Sequence, residues 1–247
     1  MSQENPTEGR RLDPILCLVV DRTAVRGDLT KCVAAAVGAG VNWVQIRERN
    51  LEGAALLAHA EAIDRAARNA AARRGGRVKI FVNRRIDIAL AIAANGVQLG
   101  FDAVDPQTAR RLFEIGAETE SDTRVGGSGV EIGISAHHPD EIRSAPPEVD
   151  CAQLAPIFRP LSKPHAGPYL GVRAVAEAAR YRIPVIAQGG ITPANATAIA
   201  AAGAAGIAVT GAILSAADPA AATRALRAAL AAAPLSGPGV LAAAPPI

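Results

Sequence analysis

Gln45, Arg47 and Arg49 stand at alternate positions where the apolar run containing Trp43 and Val44 ends. Alternate side chains share one face of an extended chain, so this run would present an amide and two guanidiniums together. Guanidiniums are planar, permanently charged forks suited to phosphate and carboxylate oxygens. Similar chemistry ends the other short apolar runs. Asn83-Arg84-Arg85 follows one, Gln98 and then Asp102 another, and Ser135-Ala136-His137-His138 a third. Arg159, Ser162, Lys163 and His165 follow the sixth run. A mouth ringed by Arg47, Arg49, Arg84 and Lys163 invites a phosphorylated ligand, whereas an isolated basic residue reads as a solvated surface charge.

Two glycine turns carry the complementary signal. Gln188-Gly189-Gly190-Ile191-Thr192 and Thr210-Gly211-Ala212 each end an apolar run. Glycine lets the backbone approach an anion closely and aim its amides inward.

These groups must be positioned by elements that alternate regularly. Val- and Ile-rich runs begin at Ile15, Asn42, Val78, Gly96, Glu131, Cys151, Pro184 and Gly206, and Ala-rich amphipathic stretches follow them. Asp105-Pro106 and Asp218-Pro219 read as helix starts, with the acid as N-cap and proline at the first helical position. Eight strand-then-helix units imply parallel pairing with right-handed crossovers. The expectation is a single α/β domain, a (β/α)₈ TIM barrel over residues 15–232, whose site lies at the strands' C-terminal ends. An open doubly wound sheet is the alternative, disfavoured because no Gly-x-Gly-x-x-Gly follows the first run. Residues 1–14 read as a flexible start, Gly116–Gly129 as a mobile polar loop, and 233–247 as an Ala/Pro-rich tail.

Composition narrows the class further. The 247 residues are 50% hydrophobic with a formal charge of +3 and a mean hydropathy of +0.19. Aromatics are only 3%, too few for a nucleic-acid stacking platform. The slight basic excess implies neither a nucleic-acid nor a membrane partner. Cys17, Cys32 and Cys151 are scattered, so buried free thiols are expected rather than a disulfide framework or a zinc site. The start carries no signal-peptide stretch, and no run is long enough to span a membrane. A cytoplasmic protein acting on a small phosphorylated molecule is expected, with a homo-oligomer left open.

Taken together, the blocks resemble the thiamine phosphate synthase/TenI superfamily. They are Val44-Gln45-Ile46-Arg47-Glu48-Arg49, Asn83-Arg84-Arg85-Ile86-Asp87, Gly96-Val97-Gln98-Leu99-Gly100, Gly133-Ile134-Ser135-Ala136-His137, Pro156-Ile157-Phe158 with Ser162-Lys163-Pro164, Gly189-Gly190-Ile191-Thr192-Pro193 and Gly206-Ile207-Ala208-Val209. The resemblance implies a barrel with one of two activities. A synthase joins hydroxymethylpyrimidine diphosphate to thiazole phosphate and releases pyrophosphate. A tautomerase converts a thiazole phosphate carboxylate to its aromatic form without a metal. It also implies that Gly189, Gly190, Thr210 and Gly211 bind phosphate.

The chain departs from the synthase pattern in four places. Where the family has Asn-Asp after strand three, this chain has Asn83-Arg84, and the second metal carboxylate falls on Ala103, beside Phe101 and Asp102. A guanidinium cannot ligate magnesium, which requires oxygen. Asp102 could substitute only if its loop shifts by one residue. Pro160 and Ser162 replace two threonines, and the strand-two motif ends in Arg49 rather than lysine.

These departures favour the tautomerase, with His137, Gln45 and Arg47 as the catalytic set and His137 moving the proton, since histidine titrates near neutral pH. Arg49, Asn83, Arg84, Gln98, Ser135 and Lys163 would contact substrate. No metal or cofactor is expected on that branch, and magnesium only on the synthase alternative. A non-catalytic phosphate-binding or regulatory barrel is the remaining alternative. Neither His138 nor His59 is expected to be catalytic.

Overall fold

The computed structural model describes residues 13–119, 129–160 and 167–233. Residues 1–12 of the start expected to be flexible, the centre of the 116–129 stretch and the tail beyond Ala233 lie outside the described residues, as does Lys163.

The strands are β1 (Ile15–Val20), β2 (Trp43–Ile46), β3 (Lys79–Asn83), β4 (Gly96–Leu99), β5 (Glu131–Ala136), β6 (Cys151–Leu154), β7 (Val185–Gln188) and β8 (Gly206–Val209). Each pairs in parallel with the next, and β8 closes on β1 through Ile15↔Gly206 to Leu18↔Val209. The chain therefore forms a single closed (β/α)₈ barrel, as the alternating pattern implies. Its helices are α1 (Leu29–Ala39), α2 (Gly53–Arg73), α3 (Ile86–Ala91), α4 (Pro106–Thr119), α5 (Pro139–Arg143), α6 (Gly171–Ala178), α7 (Pro193–Ala201), α8 (Gly211–Leu214) and α9 (Pro219–Ala231).

The acid-proline starts behave as their chemistry requires. Asp105 Oδ1 accepts from Thr108 N at 2.9 Å, and Asp218 Oδ1 from Ala221 N at 3.0 Å. Both bonds satisfy first-turn N–H groups that have no intrahelical partner.

Three boundaries differ from expectation. The sixth strand stops at Leu154, although the apolar run that begins at Cys151 continues through Ile157 and Phe158. Pro156 has no N–H to continue a ladder, and the chain instead crosses toward β7, where Ile157 N donates to Gln188 O at 2.9 Å and Phe158 N to Gly189 O at 3.0 Å. Helix α4 runs to Thr119, so the stretch expected to be loop from Gly116 begins as helix. The four-residue helix α8 precedes α9 and is too short to show a hydrophobic period.

The barrel interior changes character along its axis. From the N-terminal end up to Val19 and Ala208, which reach the cavity, Cys17, Val19, Trp43, Phe81, Cys151, Ile186 and Ala208 form an apolar plug separate from the core between sheet and helices. Trp43 and Phe81 stack at 4.6 Å, and Lys79, ion-paired to Glu131, lies 5.0 Å over the Trp43 ring. Burial of such large side chains contributes roughly 1.5–3 kcal/mol each, which makes this end a stiff base. Toward the C-terminal end the buried residues become Gln45, Gln98 and Gln153. Gly133 makes room for one of them, because a Cβ there would lie 2.4 Å from Gln98 Oε1. All three cysteines are buried and free. Among the described residues no helix is long and apolar enough to cross a membrane.

Candidate active site

A cavity of about 1300 Å³ opens at the C-terminal ends of the strands. Its floor is a relay of amides. Gln153 Nε2 donates to Gln45 Oε1 at 2.5 Å, and Gln45 Nε2 donates to Asn83 Oδ1 at 3.2 Å. Beside it Gln98 Nε2 donates to Ser135 Oγ at 3.3 Å. Gln45 is 2% exposed, and a buried amide is stable only when its polar atoms are paired. The relay therefore fixes the orientation of each amide and leaves the Asn83 NH2 as a donor in the cavity wall.

The next wall is cationic. Arg47, Arg49 and Arg84 all line the cavity. Burial, followed by repulsion from Arg49 and, more weakly, Arg84, holds the half-buried Arg47 guanidinium below its usual value, while Asp21 opposes this. Arg84 has φ +67° and donates its backbone N–H to Gln98 O at 2.9 Å. Its Nη2 lies 2.6 Å from Asp102 Oδ2. Arg85 also lines the cavity and is paired to Asp87, with Nε 2.8 Å from Asp87 Oδ1.

This arrangement does not fit magnesium. A hard cation needs several oxygen ligands, but Arg84 brings a guanidinium to within 2.6 Å of Asp102, and Ala103 offers no side-chain oxygen and packs against the apolar core. Among the described residues no group of three or more His, Cys, Asp or Glu side chains could hold a metal ion.

His137 sits at the rim after β5. Its Nδ1 lies 2.6 Å from Ala155 O. A carbonyl only accepts, so this bond places a proton on Nδ1. The His137 backbone N–H donates to Glu141 Oε2 at 2.9 Å, and the ring lies 4.8 Å from that of Phe101. His138 instead caps α5, accepting from Asp140 N at 3.3 Å. His59 Nε2 lies 3.3 Å from Glu48 Oε1, inside the protein. Neither histidine lines the cavity.

Across the mouth are the glycine turns. Gly189 and Gly190 have φ +99° and +64°, a region glycine enters without steric cost. A Cβ on Gly190 would lie 2.4 Å from Arg159 O, so this turn packs directly under the segment after β6. Asn195 locks it, accepting from Thr192 N at 2.9 Å and donating to Gly190 O at 3.0 Å. Thr210 and Gly211 line the same cavity.

Gln45, Arg47, Arg49, Asn83, Arg84, Ser135, His137, Gly189, Gly190, Thr210 and Gly211 thus share one cavity. Gln98 lies beneath its surface and supports Ser135. Sequence reasoning missed Gln153, although a lone amide in the apolar run Cys-Ala-Gln-Leu, in register with Ser135, was the available signal. It also missed Glu48, whose side chain is 3% exposed and accepts from Arg22 N at 3.0 Å, fastening the turn after β1.

The thiamine monophosphate synthase family model matches residues 16–213. A thiamine-phosphate synthase of Roseiflexus castenholzii is 34% identical over 215 residues, 86% of each chain. One of Methanoculleus marisnigri is 37% identical over 227 residues, covering 90% of this chain and 98% of that protein. In fold, the chain is similar to thiamine phosphate pyrophosphorylase from Pyrococcus furiosus, with a TM-score of 0.71 and 24% identity over 89% of this chain and 96% of that one. These relatives do not single out the tautomerase branch that the departures favoured. The barrel, the order of its motifs and these relatives agree that the chain belongs to the thiamine monophosphate synthase/TenI family.

Proposed function

We propose that this protein is a thiamine-phosphate synthase, coupling hydroxymethylpyrimidine diphosphate to thiazole phosphate with release of pyrophosphate. The observation that carries the reading is one cavity lined by guanidiniums on one wall and by glycine turns on another, each suited to an anion. Arg84 follows β3 and the glycine pair follows β7, four strands apart in a ring of eight and so diametrically opposed. Coupling two phosphorylated substrates needs two such walls. The synthase names of the relatives support the same reading.

In this mechanism the turns at Gly189–Gly190 and Thr210–Gly211 hold the thiazole phosphate. Asn83 and the amide relay orient the pyrimidine between the walls. The thiazole nitrogen attacks the pyrimidine methylene carbon, the carbon–oxygen bond breaks, and pyrophosphate departs with the bonding electrons. Arg47, Arg49 and Arg84 stabilise the charge that grows on the departing oxygens, and they act most strongly where water is excluded. Mass spectrometry of the products tests the reading. Thiamine phosphate should form only when both substrates are present.

The second reading, a metal-independent thiazole tautomerase, is favoured by one observation. His137 lines the cavity with Nδ1 donating to Ala155 O, so in the neutral ring Nε2 is the nitrogen left to take up a proton, as a general base requires. Conversion of thiazole phosphate alone, with no pyrimidine present, would select it.

A further inference from the structure

The resemblance places two metal-binding carboxylates where this chain has Arg84 and Ala103, so the local charge is inverted rather than merely lost. Arg47 and Arg49 after β2 and Arg84 after β3 line one cavity, with Arg85 beside them held by Asp87. Arg84 is anchored by its backbone bond to Gln98 O and reaches Asp102 at 2.6 Å. That ion pair is solvent-accessible, with side chains 49% and 69% exposed, and exposed pairs contribute little and are easily exchanged. Asp102 belongs to the turn after β4, just beyond the strand end. It neutralises one guanidinium without filling the cavity.

A diphosphate offers more than Asp102 can. Its negative oxygens can bridge several guanidiniums at once, and such charge-assisted bonds are among the strongest available to a side chain. Arg47 is half-buried and close enough to Arg49 and Arg84 to feel their repulsion. A multiply charged anion would relieve that repulsion; a divalent cation would add to it.

We infer that Arg47, Arg49 and Arg84 form a metal-independent diphosphate site, and that Asp102 is the counterion Arg84 releases when the diphosphate binds. The identity of the diphosphate rests on the synthase reading, but the site itself does not.

The test is calorimetric titration of the full chain with inorganic pyrophosphate, first in EDTA and then with excess magnesium. Binding is expected in EDTA, without tightening by magnesium. Arg84→Gln keeps a long side chain at the same positive φ and should weaken binding by about tenfold or more, the scale of one charged hydrogen bond. Asp102→Asn removes the competing carboxylate and should tighten binding by about two- to fivefold, the scale of an exposed ion pair. Binding that requires magnesium, or that weakens in Asp102→Asn, would overturn the inference by making Asp102 a metal ligand. Unchanged affinity in folded Arg84→Gln would overturn it as well. The reaction is scored separately. Pyrophosphate binding in EDTA without any coupling removes the synthase reading and leaves the site, whereas coupling that proceeds only with magnesium removes the site and leaves the reaction.

Discussion

Gln153 Nε2 and Gln45 Oε1 lie 2.5 Å apart, joining β6 to β2 across the barrel interior. The bond is buried, so neither amide can exchange it for water. Gln153→Leu leaves the Gln45 carbonyl unpaired and should cost about 1–3 kcal/mol, measured as a lower urea midpoint. Replacing both amides by leucine should recover part of that stability without recovering turnover, because Asn83 then loses its donor. A double variant as unstable as the sum of its parts would contradict this account of the relay.

Proton transfer and coupling separate at His137. The coupling reaction moves no proton through this residue, so His137→Asn should lower the rate of thiamine phosphate formation by less than about tenfold, below the usual range for loss of a general base. The tautomerase reading instead demands a loss of about 10²–10⁴-fold in thiazole conversion. His138→Asn is the matched control. Asparagine is a good N-cap, so helix α5 should keep its start and both rates should stay unchanged.

The barrel was legible because its signals are local. Asp105-Pro106 and Asp218-Pro219 start α4 and α9 where acid and proline predict, and each short Val/Ile run became a strand. The cavity followed, since a barrel gathers whatever its strands carry at their C-terminal ends. Pairings between distant loops were not legible. Whether Arg84 turns to Asp102, and whether Phe101 covers His137, depends on loop paths that no periodicity encodes. Gln153 lay hidden inside a strand rather than at its end, and α8 is a single turn. The branch favoured at the outset rested on the Arg84 and Ala103 positions, on Pro160 with Ser162, and on Arg49; that the guanidiniums and the glycine pair face each other follows from β3 and β7 lying opposite in the closed barrel.

Magnesium dependence should be restorable. Arg84→Asp with Ala103→Asp returns two carboxylates beside Asp102, and aspartate tolerates positive φ better than most side chains. This double variant should bind inorganic pyrophosphate only when magnesium is present, as calorimetry with and without EDTA would show. Binding that stays independent of magnesium would mean that the anion sits away from these positions.

The buried thiols should be silent. Burial pushes Cys17 up to about 12 and raises Cys151 and Cys32 as well, so little thiolate forms at pH 8. A native sample should not react with a disulfide reagent, and denaturation should release three thiols. The same shift sets a pH trend. Unfolded cysteine ionises near about 8.5, so the thiols' contribution is complete below that pH and is lost as pH rises toward the folded values. The urea midpoint should therefore fall in mildly alkaline buffer, less steeply in Cys17→Ala.

The central claim is that two anions occupy opposite walls of one cavity at the same time. Titrating inorganic pyrophosphate into protein saturated with thiazole phosphate tests it directly. The account predicts one further equivalent bound, with an affinity within about threefold of that for the free protein, the signature of weakly coupled separate sites. Displacement of thiazole phosphate by pyrophosphate, one for one, would show a single anion site and contradict the account.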